Sequence, residues 1–413
     1  MLYQSLNDLF YKNADEYEKE YKARFSAPFT RRLDFKIRQL GWPTEHQLFY
    51  CYTEELVSLL LKIVKNNDLL KDVVQKIPPI ALIQLNKQSL LEEIRSTNDI
   101  EGVRSSRKEI IQALRSQELQ DKNVRFYSVA NKYIKIADAE KISFLTCGDI
   151  RDFYDEFVAD EIRSDNPKNL PDGKLFRKEG VSIRTASQKI LHEGLVPEEK
   201  IIEAMSYALN VLHDESIPAL IRVAIFHYLF GYIHPFYDGN GRMARFISSY
   251  YLSDELQLIV GLRLSVTIKQ QKKFYYDMFE ESNSNRNLGD LTPFIMHFLE
   301  MVLDTIKNLY KSLEEKSQQL SKCGQALGKL LKSKGLCDAV TREICYILIQ
   351  AAMFSSDGAT AKELQNVIKK SRNTVDDRLL KIPSEWLQKD LSRKPYRYRF
   401  NVFALRPYFA EKQ

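Results

Sequence analysis

Cysteine is scarce in this 413-residue chain: five thiols, Cys51, Cys147, Cys323, Cys337 and Cys345, an odd number with no CxxC pair. That excludes a disulfide framework and a zinc site built on cysteine pairs, and fits free thiols in a reducing compartment. No run of about 18 apolar residues occurs, so no membrane-spanning helix is expected. The first residues, MLYQSLNDLFYKNADEYEKEYKARF, lack the basic start and continuous apolar core of a secretory leader, which predicts a cytoplasmic protein. There is neither an internal repeat nor a low-complexity run, so repeat architectures are not expected. Histidines are few, six in all, and only His234 stands among other residues of functional type.

What is present reads as a globular protein, with 44% hydrophobic and 28% charged residues. The length exceeds what one hydrophobic core usually serves and allows two or three domains. The net charge of +6 is unevenly spread: residues 331–413 carry 16 Lys+Arg against 9 Asp+Glu, and the rest of the chain is close to neutral. A basic C-terminal fifth points to a nucleic acid or acidic partner for that segment.

Hydrophobic periodicity predicts a mainly α protein. LVSLLLKIV (56–64) has helical spacing within residues 1–78, and a second amphipathic run follows Pro78-Pro79 and ends in STNDIEG (96–102), where Gly102 suits a helix terminus. Residues 103–170 read as mostly helical. In 175–197, Val181 and Ile183 alternate with Ser182 and Arg184 between glycines, which predicts a short hairpin. PALIRVAIFHYLFGYI (218–233) is apolar almost all round and should be a buried central helix, stopping at His234-Pro235. A helix is expected to start near Gly239–Gly241, and a long one over 291–320, with 320–335 as a linker helix or hinge.

The chemistry is concentrated in HPFYDGNGRMAR (234–245). Gly239 and Gly241 let the backbone approach a ligand, and a helix beginning there presents free N–H groups and a positive dipole end to an anion. Asn240 adds an amide to the same nest. Arg242 and Arg245, three apart, supply two guanidinium forks, which suit a polyphosphate better than a single carboxylate. Asp238 is a hard oxygen ligand for magnesium beside that phosphate site. His234, with a pKa near neutrality, can take a proton from an incoming hydroxyl. Together these residues predict a nucleotidyl or phosphoryl transferase.

The ordered string His-Pro-Phe-x-Asp-Gly-Asn-Gly-Arg-x-x-Arg resembles the signature loop of the Fic (Fido) family at every defining position. The resemblance implies a helical core in which the loop joins two central helices, with Phe236 as its buried anchor. It implies His234 as general base, Asp238 as the magnesium ligand, and Gly239, Asn240, Gly241, Arg242 and Arg245 on the phosphates of ATP. AMP would pass from ATP to a Ser, Thr or Tyr hydroxyl of a protein, self-modification included. The 175–197 hairpin is similar to the family's flap, which would pair with an extended target segment by strand addition. Tyr275-Tyr276 and GDLTPFI (289–295) resemble the surroundings of the adenine pocket, with Tyr276 against the nucleotide and either Asn283 or Asn287 as its asparagine. TNDIEG (97–102) matches the family's inhibitory pattern, which implies that Glu101 occupies the Arg245 fork and blocks the terminal phosphate. The same glutamate in some relatives assists AMP removal, so de-AMPylation, or transfer of another phosphate-containing group, is the alternative activity.

The order of elements after residue 335 is that of a winged helix-turn-helix. Ser371 is expected to cap a helix whose Val375, Leu379 and Leu380 face inward. Arg372, Asn373 and Thr374 would meet DNA bases, and Arg393, Lys394, Arg397 and Arg399 on an exposed strand and wing would meet phosphates; Asp376 and Asp377 oppose that reading. A DNA-binding regulator with a nucleotide-sensing core is therefore a further alternative. The expected organisation is an N-terminal helical domain over 1–102, a catalytic core over 103–320, and a linker and winged-helix-like domain over 321–413, with a homodimer as a candidate assembly.

Overall fold

The computed structural model describes residues 3–184, 190–354, 358–391 and 395–409. They are mainly helical, as the periodicity predicts, and divide into two compact units: Met1–Asn67 with Leu90–Ile306, and Asp68–Ser89 with Lys307–Gln413. Residues 1–67 thus share one unit with the core helices. Among the described residues no helix is long and apolar enough to cross a membrane.

In the first unit, the Ala219–Ile233 helix is buried on every side, as an all-round apolar sequence requires. It packs against the Glu198–His213 and Asn240–Glu255 helices. The loop between the second of these and the central helix is residues 234–239.

Residues 1–78 are not simply helical. Strands β1 (Thr30–Ile37) and β2 (His46–Cys51) pair antiparallel, with Thr30 opposite Cys51. The signal was the alternation Leu33, Phe35, Ile37, overshadowed by the stronger helical pattern of 56–64. The expected second hairpin is present as β3 (Ser182–Arg184) and β4 (Ile190–Glu193), again antiparallel; the segment 185–189 between them lies outside the described residues.

The expected break at 320 does not occur, because Thr292–Ser333 is one continuous helix. In the second unit, the Ala339–Phe354, Ala361–Ile368 and Arg372–Lys381 helices accompany a sheet of β5 (Ala359–Thr360), β6 (Leu387–Asp390) and β7 (Arg397–Phe400), ordered β5-β7-β6. Ser371 caps its helix by accepting from Thr374 N (3.2 Å), as expected. Val375 and Leu379 are buried, but Leu380 is 77% exposed. A ten-residue helix with one buried face cannot turn adjacent leucines the same way. The 396–400 stretch is not an exposed strand: β7 is central, and Arg397 is buried and donates to the Gly358 carbonyl (3.3 Å), so it cannot serve on a phosphate as it stands. Arg372 leans on Asp376 (3.4 Å). Arg393 and Lys394 lie outside the described residues.

Candidate functional site

The central helix ends because His234 turns into the left-handed region (φ 52°), and Pro235 next to it cannot continue a helix. Phe236 is fully buried, stacked on Tyr154 at 3.8 Å between ring centroids and edge-on to Phe176. The loop then reverses at Gly239 (φ 87°), where a side chain would be strained, and the Asn240–Glu255 helix begins.

Asn240 does not offer its amide to a ligand. Its Oδ1 accepts from Phe236 N (2.9 Å) and its Nδ2 donates to Phe236 O (2.7 Å), so the side chain locks the loop from within. Asp238 Oδ1 accepts from Gly239 N (2.5 Å) and stands 3.8 Å from Arg242 Nη2.

The two arginines diverge. Arg242 pairs with Glu161 (2.7 Å), a partner that sequence reasoning did not find, and its buried Nε has no hydrogen-bond partner. Burial raises the Glu161 carboxyl, against the pull of Arg242. Arg245 donates from Nε to Thr97 Oγ1 (2.9 Å) and from Nη2 to Thr97 O (3.1 Å), and pairs with Glu101 Oε1 at 2.8 Å. Thr97 is the threonine of the TNDIEG pattern, but nothing in the pattern assigned it that bond. The Pro79–Ile100 helix thus brings Thr97 and, one turn on, Glu101 to one guanidinium. Its C-terminal end is held by Lys269 on Asp99 (2.6 Å) and Lys272 on the Ile100 carbonyl (2.8 Å), cations where the helix dipole is negative.

The Glu101 carboxylate also covers Gly241: a Cβ built there would collide with Oε1. It therefore lies over the first turn of the Asn240–Glu255 helix, where an anion is favoured. Burial pushes the Glu101 carboxyl up, but Arg245, and after it Arg242 and His234, outweigh burial and hold it below its ordinary value. A cavity of about 900 Å³ adjoins, lined among others by Glu101, Arg104, Lys122, Arg125, Asp238 and Arg242.

His234 Nδ1 faces the Gly231 carbonyl (3.4 Å), which assigns the proton to Nδ1 and leaves the Nε2 lone pair free. Burial, with His192 and Arg177 nearby, pushes its pKa down to about 4, so the imidazole is neutral at physiological pH. Tyr276 is 40% exposed, and burial beside Glu101 pushes its hydroxyl up to about 12. Tyr275 is buried, its hydroxyl bonded to His227 (2.8 Å). Of the two asparagines, Asn283 accepts from the Tyr228 hydroxyl (2.7 Å), and Asn287 donates to the Asp290 carbonyl (2.7 Å). The structure thus brings His234, Asp238, Gly241, Arg242, Arg245 and Glu101 to one loop and helix end.

The sequence profile of the Fic/DOC family matches residues 144–252. These residues form a Fic domain. Protein adenylyltransferase fic-1 of Caenorhabditis elegans is 27% identical over 188 residues, 45% of this chain and 35% of that protein. Protein adenylyltransferase Fic of Drosophila ananassae is 32% identical over 98 residues, 24% of this chain and 18% of that one. The chain thus spans about a third or less of the length of these curated relatives. A crystal structure of a Fic family protein from Desulfovibrio desulfuricans shares the fold, with TM-score 0.51 at 19% identity over 85% of this chain and 97% of that one. The matched residues contain the whole loop, the central helix and the Asn240–Glu255 helix as far as residue 252, while Glu101 lies outside them.

Proposed function

We propose that this chain transfers AMP from ATP to a Ser, Thr or Tyr hydroxyl of a protein, and that Glu101 holds the activity off. The observation that supports this reading best is the Glu101 carboxylate lying on the helix end and arginine fork that a polyphosphate would need.

In the transfer, the target hydroxyl oxygen attacks the α-phosphorus of ATP while its proton passes to His234 Nε2. The bond from the α-phosphorus to the bridging oxygen breaks, and pyrophosphate leaves. A neutral imidazole with its proton on Nδ1 is the form that can accept. The free N–H groups of the first turn and the Arg242 and Arg245 guanidinia hold charge on the phosphates, which is most of what this chemistry requires. The hairpin of β3 and β4 offers an edge to an extended target segment.

Asp238 fits a magnesium ion. Its carboxylate is 39% exposed beside the phosphate donors, and the described residues hold no cluster of three or more His, Cys, Asp or Glu that would cage a metal. A lone carboxylate with phosphate oxygens and water is how magnesium is usually held. The ion would neutralise phosphate charge and orient the leaving group.

The test is labelling of protein from α-labelled ATP. Glu101→Gly should raise incorporation at least tenfold over the unaltered chain, and adding His234→Ala should remove it. Equal labelling with and without Glu101 refutes self-inhibition. No labelling of any protein in lysate by the Glu101→Gly chain refutes AMP transfer.

A further inference from the structure

The end of a helix leaves its last carbonyls without intrahelical donors. At the C-terminal end of the Ala219–Ile233 helix, four consecutive carbonyls find donors in one place, the base of the β3–β4 hairpin. His192 Nε2 donates to Tyr232 O (2.6 Å), Leu195 N to Ile233 O (3.1 Å), Arg177 Nε to His234 O (2.9 Å) and Arg177 N to Pro235 O (3.3 Å).

Arg177 is unusual among these donors. It is fully buried, and none of its hydrogen bonds reaches a carboxylate. Nη1 donates to Glu179 O (2.5 Å) and Nη2 to Leu195 O (2.8 Å), so one guanidinium joins both limbs of the hairpin base to His234. Gly194 admits it, since a Cβ there would collide with Nη2. A buried cation without an acid partner is costly. What compensates is three carbonyl dipoles and the negative end of the central helix. Burial lowers its own pKa only to about 10, so it stays charged at neutral pH.

We propose that Arg177 is a positioning residue for His234, whose backbone it fixes against the hairpin base so that the imidazole meets a hydroxyl presented there. This rests on the reading of His234 as the general base. A lysine could not replace it, because an ammonium lacks the planar fork that reaches three carbonyls on separate segments. The phosphate donors at 240–245 are not among its contacts, so binding of ATP and orientation of the base are separable. The charged and titratable groups near His234 are Arg177, His192 and Glu101. Arg177 and His192 disfavour a proton on the imidazole, and Glu101 favours one.

The experiment compares Arg177→Lys and Arg177→Met in the full chain carrying Glu101→Gly. Both should lower kcat for AMP transfer roughly 100-fold, the cost of misplacing a catalytic group by about an ångström. KM for ATP should stay within about twofold. Histidine-labelled NMR should show the His234 titration midpoint moving up in Arg177→Met and staying near its parent value in Arg177→Lys. Unchanged kcat in either variant overturns the proposal, and so does a fall in kcat matched by an equal rise in KM. Should Arg177→Met fail to fold, Arg177→Lys still decides through its kcat and KM. Should the Glu101→Gly parent transfer no AMP, the proposed function fails. The His234 ring resonances then test the positioning role by themselves: unchanged shifts in Arg177→Lys overturn it, and displaced shifts uphold it.

Discussion

The signature loop is held at both of its ends, and by opposite means. At the His234 end four consecutive backbone carbonyls, those of residues 232–235, accept from His192, from the Leu195 N–H and from the buried, charged Arg177. No mobile ligand competes for those bonds. At the Arg245 end the partner is a carboxylate, 27% exposed, lying over a helix terminus that favours any anion. A triphosphate is anionic like Glu101 and, on the proposed function, would contend for the same donors. On the proposed function, the difference separates a permanent scaffold from a displaceable plug: one end would keep the base oriented and the other would decide whether nucleotide enters.

Removing what the two ends share should have the largest effect. Phe236 is fully buried against Tyr154 and Phe176, so Phe236→Ala should destabilise the first unit by about 3–5 kcal/mol through lost burial and a cavity. Chemical denaturation read by fluorescence would measure it, and a loss below about 1 kcal/mol would mean that the loop does not depend on that anchor. The next effect belongs to the plug alone. Glu101→Gly should tighten ATP binding by about tenfold, worth roughly 1.4 kcal/mol. Calorimetric titration with ATP, in magnesium and without it, checks this; equal affinities with and without Glu101 would erase the distinction between the two ends.

Much of this comparison was legible in the sequence. The buried central helix followed from an apolar run with no polar face, and its end from His-Pro. The string 234–245 named the loop because twelve residues in order are hard to match by chance, and TNDIEG pointed Glu101 at Arg245. The scaffold was less legible for a physical reason. Arg177 and His192 act on backbone carbonyls, which every residue has, so no side-chain pattern advertises their partners. Asn240 was assigned to a ligand because residue type says what an amide can bond, not which way it turns. Strands β1 and β2 were missed because alternation over a few residues is weak beside a longer helical pattern. Arg397 and Leu380 were misplaced because a short helix and a central strand are set by packing more than by propensity.

A finer cut replaces the plug's seat rather than the plug. In Gly241→Ala the new methyl group would stand where the Glu101 carboxylate now lies. Glu101 should leave Arg245, yet the methyl group also crowds the path of a phosphate. ATP affinity should therefore change by no more than about threefold, against the roughly tenfold gain in Glu101→Gly. A gain as large as that of Glu101→Gly would show that the seat tolerates a side chain.

The smallest effect is one of pH, and here the two ends pull in opposite directions. Folded His234 titrates near 4, against about 6.5 in an unfolded chain. Between those values the unfolded chain binds a proton that the folded chain does not, so this contribution to stability is full above about pH 6.5 and declines as pH falls toward 4. Buried His227, pushed down to about 3, and His192, also lowered by burial, act with the same sign. The His234 imidazole itself stays neutral down to about pH 4, the form the proposed function requires. Melting temperature should therefore fall between pH 6.5 and 5 while the rate per folded molecule of the Glu101→Gly chain holds. Deleting Glu101 removes a charge that favours the protonated imidazole, so the His234 midpoint should move down by a few tenths of a unit in Glu101→Gly. NMR titration of labelled histidine reads that shift directly. An upward shift would mean that Glu101 does not act on the base, and a midpoint near 6.5 in either chain would mean that His234 is solvated and not held at all.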